Sequence, residues 1–275
     1  MQLSLSGRIV EAEHIKTNSS LNFVEFAELA ARVGFQAVCV RSTHLNSDTP
    51  LERAREMRGF LEQDGLAASM VMLDKRVASQ GTTPDAGTPL GNITPMLERA
   101  TAIGSDMIRV AIKSSDDIPI AQRAADEARE HGIRLAHQNH TKTPFETVAD
   151  CVEMFKRIDR PNLGLIAEPA NFMLCGEDYG AEALKPLAAS IFNVYVQNLD
   201  VSDSGSSTIE TNRGAVRYER LVIGDEGGVN LEHFHDGLNA IGYAGFVTSN
   251  QPAIAETSSE ELSKQVYAAL ARFAQ

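Results

Sequence analysis

No stretch of this 275-residue chain reaches the roughly 18–20 consecutive apolar residues that a membrane-spanning helix needs. The opening segment, MQLSLSGRIVEAEHIK, has no basic start, no long apolar stretch and no small-residue cleavage site, so a cytoplasmic protein without a secretion signal is expected. Cysteine is scarce and scattered, at Cys39, Cys151 and Cys175 with no C-x-x-C pair, which points to reduced thiols rather than a disulfide framework. Positive charge is in short supply: 25 Lys and Arg stand against 37 Asp and Glu, a net charge of -12, and the basic residues are dispersed. Such a balance repels phosphate backbones and argues against a nucleic-acid partner. No G-x-G-x-x-G follows the first strand-like run, which disfavours a dinucleotide-binding open sheet. Low-complexity tracts, domain linkers and short internal repeats are missing too.

What is present is a steady alternation. The 43% hydrophobic content suits one large α/β domain. Strand-like runs fall at about 2–6, 36–41, 68–73, 107–112, 133–138, 163–167, 192–198 and 245–249. Helical-period segments follow at 23–33, 51–64, 94–103, 119–131, 145–158, 180–189, 230–241 and 257–273. Gly34, Gly65, Gly104, Gly132 and Gly242 each sit just past a helix, where a left-handed residue is wanted. Thr94-Pro95 and Pro119 suit helix starts. Eight strand–helix pairs predict an α/β protein, a (β/α)8 TIM barrel, as a single domain over 1–275. Two long loops, 74–93 and 199–229, are expected at the mouth as walls, lids or contacts to a second copy in a homo-oligomer.

The strand ends carry polar residues that a buried strand has no packing reason to keep: IRLAHQNH (133–140), LGLIAEPAN (163–171), VYVQNLD (194–200) and FVTSNQ (246–251). In a parallel barrel these ends converge on one mouth. Side chains alternate along a strand, so Gln138 and His140 share a face and His137 takes the other. Glu168 follows four apolar residues, and a carboxylate there must be paired, hydrogen-bonded or metal-bound. Arg41 and Lys113, which also end strand-like runs, are either its ion-pair partners or contacts to a polyhydroxy or anionic substrate. Asn171, Gln197, Asn250 and Gln251 complete an amide cluster read as substrate-binding, with His44 and Asp74 as further candidates. Cys175 has no evident base beside it and is read as inert.

At these residues the chain resembles the xylose isomerase-like TIM-barrel family of sugar and sugar-phosphate isomerases and epimerases, which also has an endonuclease IV branch. The resemblance covers nearly the whole chain. It rests on the order of the strand-end motifs and on GDEGGVNLEHFHDGLNAIGYAGFVTSN (224–250). It implies a divalent metal such as Mn²⁺ or Mg²⁺, held by strand-end Glu, Asp, His and Glu at the places where this sequence has Gln138, Glu168, Gln197 and Asn250. A further histidine of the family falls at Asn171. Only one carboxylate, Glu168, remains as a candidate metal ligand, and neutral amides are weak ligands for hard cations.

The activity expected is a sugar or polyol isomerase or epimerase. Glu168 is then the base next to a carbonyl and His140 the second acid/base, while Gln138, Gln197 and Asn250 hold hydroxyls. A lyase or dehydratase would use the same base. The other class is a non-catalytic sugar-binding or partner subunit.

Overall fold

A computed structural model of the protein describes residues 1–11, 17–73 and 89–274. Asp74 and most of the 74–93 loop lie outside the described residues. Strand and helix alternate as the apolar patterning requires. The chain runs β1 (Gln2–Ser6), α1 (Phe23–Val33), β2 (Ala37–Val40), α2 (Leu51–Gln63), β3 (Ala67–Met72), α3 (Thr94–Ile103), β4 (Met107–Val110) and α4 (Ile118–Glu130). It continues through β5 (Arg134–Gln138), α5 (Val148–Ile158), β6 (Leu163–Ala167), α6 (Pro169–Leu174), α7 (Ala181–Leu184) and β7 (Ile191–Val196). Three strands outside the barrel follow: β8 (Asn198–Val201), β9 (Ser207–Thr211) and β10 (Gly214–Leu221). Then come α8 (Leu231–Ala240), β11 (Phe246–Ser249) and α9 (Ser259–Leu270).

Eight strands close into a parallel barrel in the order β1-β11-β7-β6-β5-β4-β3-β2. The expected (β/α)8 TIM barrel in one domain is therefore what the sequence forms. Helix starts are fixed locally: Asn22 with Glu25, Thr147 with Asp150 and Ser258 with Glu261 form reciprocal caps on α1, α5 and α9. Gly34 and Gly104 end α1 and α3 at φ 110° and 81°, a backbone state that costs a residue with a Cβ. Helix α1 shows the layer logic, burying Phe23, Phe26, Ala27, Leu29 and Ala30 against the barrel.

Inside the barrel the alternate residues Cys39, Met70, Met107, Ala136, Ile166 and Tyr195 form a separate apolar plug. The Tyr195 hydroxyl lies 3.2 Å from the Cys39 sulfur, and burial pushes that phenol well above its ordinary pKa. The plug is the floor on which the mouth is built.

The 199–229 segment is more ordered than a loop. From Gln197 the chain leaves the barrel and forms an antiparallel sheet, β8-β10-β9. Its hairpin tip is tied down on the far side. The Asn212 N–H donates to both oxygens of Glu146 at 2.9 Å, and Arg213 donates to the Cys175 carbonyl at 3.0 Å. The sheet thus covers the mouth between β7 and the β5–α5 loop.

Candidate active site

Under this sheet lies a cavity of about 380 Å³, whose wall includes Gln138, His140, Asn171, Gln197 and Asn250 from the barrel and Tyr218 and Arg220 from the covering sheet. Arg8, Arg41 and Arg109 complete its positive lining. The parallel strand ends explain the convergence: β5, β6, β7 and β11 are neighbours in the barrel, so their C-terminal residues meet.

Glu168 ends β6 and stands before Pro169, extended at φ -124°, as a residue before proline prefers. Asn139 holds its backbone as a further strand rung would. The Glu168 N–H donates to Asn139 Oδ1 at 2.8 Å, and Asn139 Nδ2 donates to the Glu168 carbonyl at 3.1 Å. Asn171 Nδ2 in turn donates to the Asn139 carbonyl at 2.8 Å. The carboxylate is completely buried, beneath the cavity floor rather than in its wall. Its Oε2 accepts from Gln138 Nε2, while its Oε1 makes no well-formed hydrogen bond. Burial raises its pKa to about 7; the Arg109 charge, the Gln138 hydrogen bond and weaker hydrogen bonding from the Asn250 side chain and the Gln197 backbone pull the other way.

Gln138 is the link in this network. Its Oε1 accepts from Arg109 Nη2 and its Nε2 donates to Glu168. A guanidinium can only donate, and an ionised carboxylate can only accept, so the amide has one orientation that serves both. Arg109 lies over the Tyr195 ring, 5.6 Å from its centre, so the plug supports the cation from below.

The other expected residues are placed as follows. Gln197 accepts from Arg220 Nη1 at 3.3 Å, and Asn250 pairs its backbone with Val196 at 2.7 Å; both face the cavity. His140 is exposed at the rim, its Nδ1 3.1 Å from the Thr141 carbonyl. Arg41 lines the cavity but its ion-pair partner is Glu11, at 2.6 Å, not Glu168. Lys113 does not line this cavity: it is exposed beyond the end of β4 and lines an adjoining one, which shares Met72, Arg109, Gln138 and His140 with it. Gln251 is also elsewhere, because it follows Asn250 and takes the opposite side, where its Oε1 accepts from the Ile223 N–H at 3.0 Å. His44 is part of the helix layer, stacked 5.4 Å from Phe26 with Nε2 3.0 Å from the Leu21 carbonyl. His137 turns away from Gln138 as alternation requires and packs 4.3 Å from Phe145; burial pushes its pKa down to about 3. Cys175 is inert, since burial and then the Glu146 charge push its thiol up to about 12.

Arg109, Asn139, Arg8, Glu11 and Arg220 carry much of the site; Asn139 lies within the IRLAHQNH strand end without being singled out there, and the strand-end pattern marks none of the other four. Arg109 has a readable signal all the same. In MIRV it shares the inward face with Met107, where a charge has no packing role.

The family's divalent ion does not fit these residues. Among the described residues no three His, Cys, Asp or Glu side chains come together. The oxygen that Gln138 would offer an ion already accepts from Arg109, and its other end is an N–H donor aimed at Glu168. A divalent cation there would face a guanidinium and an amide nitrogen with one carboxylate to offset it.

Comparison with known proteins agrees with the fold. A search of curated proteins found no match to the chain. Among solved structures, D-psicose 3-epimerase from Clostridium cellulolyticum, determined with D-tagatose, superposes with a TM-score of 0.76 at 14% identity, covering 100% of this chain and 98% of that one. The probable 3-DHS dehydratase AsbF from Bacillus anthracis gives 0.74 at 15%, covering 98% and 99%. A xylose isomerase-like TIM barrel/4-hydroxyphenylpyruvate dioxygenase fusion protein gives 0.74 at 15%, and there the match covers 98% of this chain but 42% of the fusion. At such identities the likeness is one of fold. The family model described as xylose isomerase-like TIM barrel matches residues 27–272, and the chain belongs to that generally enzymatic family.

Proposed function

We propose that this protein is an enzyme that moves a proton next to a carbonyl of a carbohydrate-like substrate, as an isomerase or epimerase, with Glu168 as the base. One observation carries the reading: a fully buried carboxylate with a pKa of about 7, whose Oε1 makes no well-formed hydrogen bond, lies next to Gln138 and Asn250 in the wall of a polar cavity. A base poised near neutrality is balanced between taking and returning a proton. A buried acceptor left unmet is costly, and a group of the bound substrate seated against Oε1 would relieve that cost. Gln138, Gln197, Asn171 and Asn250 supply hydroxyl contacts, and His140 at the rim is the second acid/base. Family membership supports the enzyme class, since members include epimerases and isomerases.

A second reading, a non-catalytic polyol-binding barrel, is favoured by one fact: Glu168 contributes no surface to the cavity, so substrate must part Gln138 and Asn250 to reach it. Hydrogen exchange separates the two. The protein is incubated in D₂O with a panel of ketoses, aldoses and sugar acids, and deuterium at the carbon beside the carbonyl is read by NMR. The enzyme reading expects incorporation that Glu168→Gln lowers by about 10²–10⁴-fold. Binding of a panel member without exchange supports the second reading, and loss of water from it identifies a lyase using the same base.

A further inference from the structure

Arg109 carries a positive charge that no carboxylate among the described residues touches. Its contacts are neutral: Gln138 Oε1 on Nη2, the Met72 sulfur 3.7 Å from Nη1, and the face of Tyr195. Its Nε is buried without a partner. Arg41, across the same cavity, is matched by Glu11 at 2.6 Å. Among the described residues no Asp or Glu lines the cavity, whereas Arg8, Arg41, Arg109 and Arg220 all do. Arg8 and Arg41 have side chains only 8% exposed and share Glu11, at 3.8 and 2.6 Å, so these cations are built into the fold rather than laid on its surface. Glu168 feels the Arg109 charge only across Gln138, so the half-buried guanidinium still has no anion in direct contact.

We infer that the cavity takes a polyol bearing an anionic group, a carboxylate or a phosphate, and that Arg109 binds that group. The inference rests on reading this mouth as a polyol site, and it adds the substrate's charge. Arg109 is already held in place for such a contact. The aromatic plug supports it from below and Gln138 fixes one edge, leaving Nη1 with a weak sulfur contact that an anionic oxygen would displace. Gln138 then couples the anion-binding cation to Glu168, so that occupancy at one end alters the charge balance at the other.

The test uses the full chain and isothermal titration with D-gluconate, its neutral counterpart D-glucitol, and inorganic phosphate. Gluconate is expected to bind at least about tenfold tighter than glucitol, as one charge-assisted contact gives. Arg109→Met should bring the two to equality, and Arg109→Lys should keep part of the preference. Should Arg109→Met not fold, sodium chloride titration of the wild type replaces it: gluconate binding weakens with salt and glucitol binding does not. Phosphate that competes with gluconate, and is lost with Arg109, makes the group a phosphate; gluconate binding without phosphate competition makes it a carboxylate. Equal binding of gluconate and glucitol, a preference that survives Arg109→Met, or no anion binding overturns the inference. Deuterium exchange on a neutral sugar would leave the proton-transfer reading standing when this one fails.

Discussion

Replacing Glu168 by glutamine tests the electrostatics of the site without knowledge of the substrate. The side chain keeps its shape, and its amide oxygen still accepts from Gln138. What disappears is a titration. In the folded protein the carboxyl has a pKa of about 7, raised from 4.5 mainly by burial. At ~1.4 kcal/mol per unit, that displacement is worth about 3 kcal/mol. The folded state holds the proton more tightly than the unfolded state, so the wild type is favoured at low pH. It loses that advantage as the pH rises from about 4.5 to 7, and above that range the penalty is constant. Glutamine carries no such penalty at any pH. The extra N–H of the amide adds an offset of about 1 kcal/mol if it finds no acceptor, and this offset does not depend on pH.

The diagnostic quantity is therefore a difference of differences. The stability of Glu168→Gln relative to wild type should improve by about 3 kcal/mol between about pH 4 and pH 8, a relative shift of roughly 6 °C in Tm for a chain of this size. Urea denaturation at four or five pH values reads it directly. A variant whose relative stability does not change with pH, or falls toward pH 8, would show that Glu168 is ionised and held by an ion pair, and the assignment of a near-neutral base would go with it.

His137 should show the opposite sign. Its pKa is pushed down to about 3 by burial against Phe145, so wild-type stability falls as pH drops from about 6.5 toward 3, by up to about 5 kcal/mol; His137→Phe should flatten that limb in urea melts across about pH 3–7, and an unchanged slope would refute the assignment. Prolonged EDTA treatment should leave both thermal midpoint and deuterium exchange unchanged, because Gln138 is committed to Arg109 and Glu168; a midpoint that falls on chelation and recovers with Mn²⁺ would show that the ligands lie elsewhere.

Legibility in the sequence follows what each signal encodes. The barrel can be read because every βα unit repeats the same apolar period and punctuation, so an error of one or two residues at a boundary changes nothing. Strands β2 and β4 end earlier than expected, yet the register survives because pairing is set by the buried faces. The covering sheet reads as a loop even though Val216, Tyr218 and Arg220 alternate with Arg217, Glu219 and Leu221, since a sheet lying over a mouth lacks the clean apolar face that marks a strand. In the site, the C-terminal end of a strand is a sound guide to Gln138, Gln197 and Asn250. It is a looser guide to Lys113, which one further residue carries to the adjoining cavity, and to Gln251, where a change of face decides the direction. Arg109 is hidden because attention to strand ends passes over a charge within the strand. Partners such as Glu11 for Arg41 come from contacts between the segments after β1 and β2 that no single segment announces.

The amide at position 138 explains why neutral side chains at 197 and 250 suit the same site. A carboxylate at that place would only accept hydrogen bonds, so beside Glu168 it would need a cation between them. An amide both donates and accepts. It can satisfy Glu168 with one end and a guanidinium with the other, without any ion between them. Once Gln138 makes that bridge, carboxylates at 197 and 250 would add negative charge beside a base already raised to about 7, and would drive it further from ionisation. Neutral amides there keep Glu168 within reach of neutrality, while Arg109 opposes the cost of burial. Positive charge in this mouth is thus supplied by an arginine on β4, and neutral amides at 197 and 250 suit a cation that is singly charged.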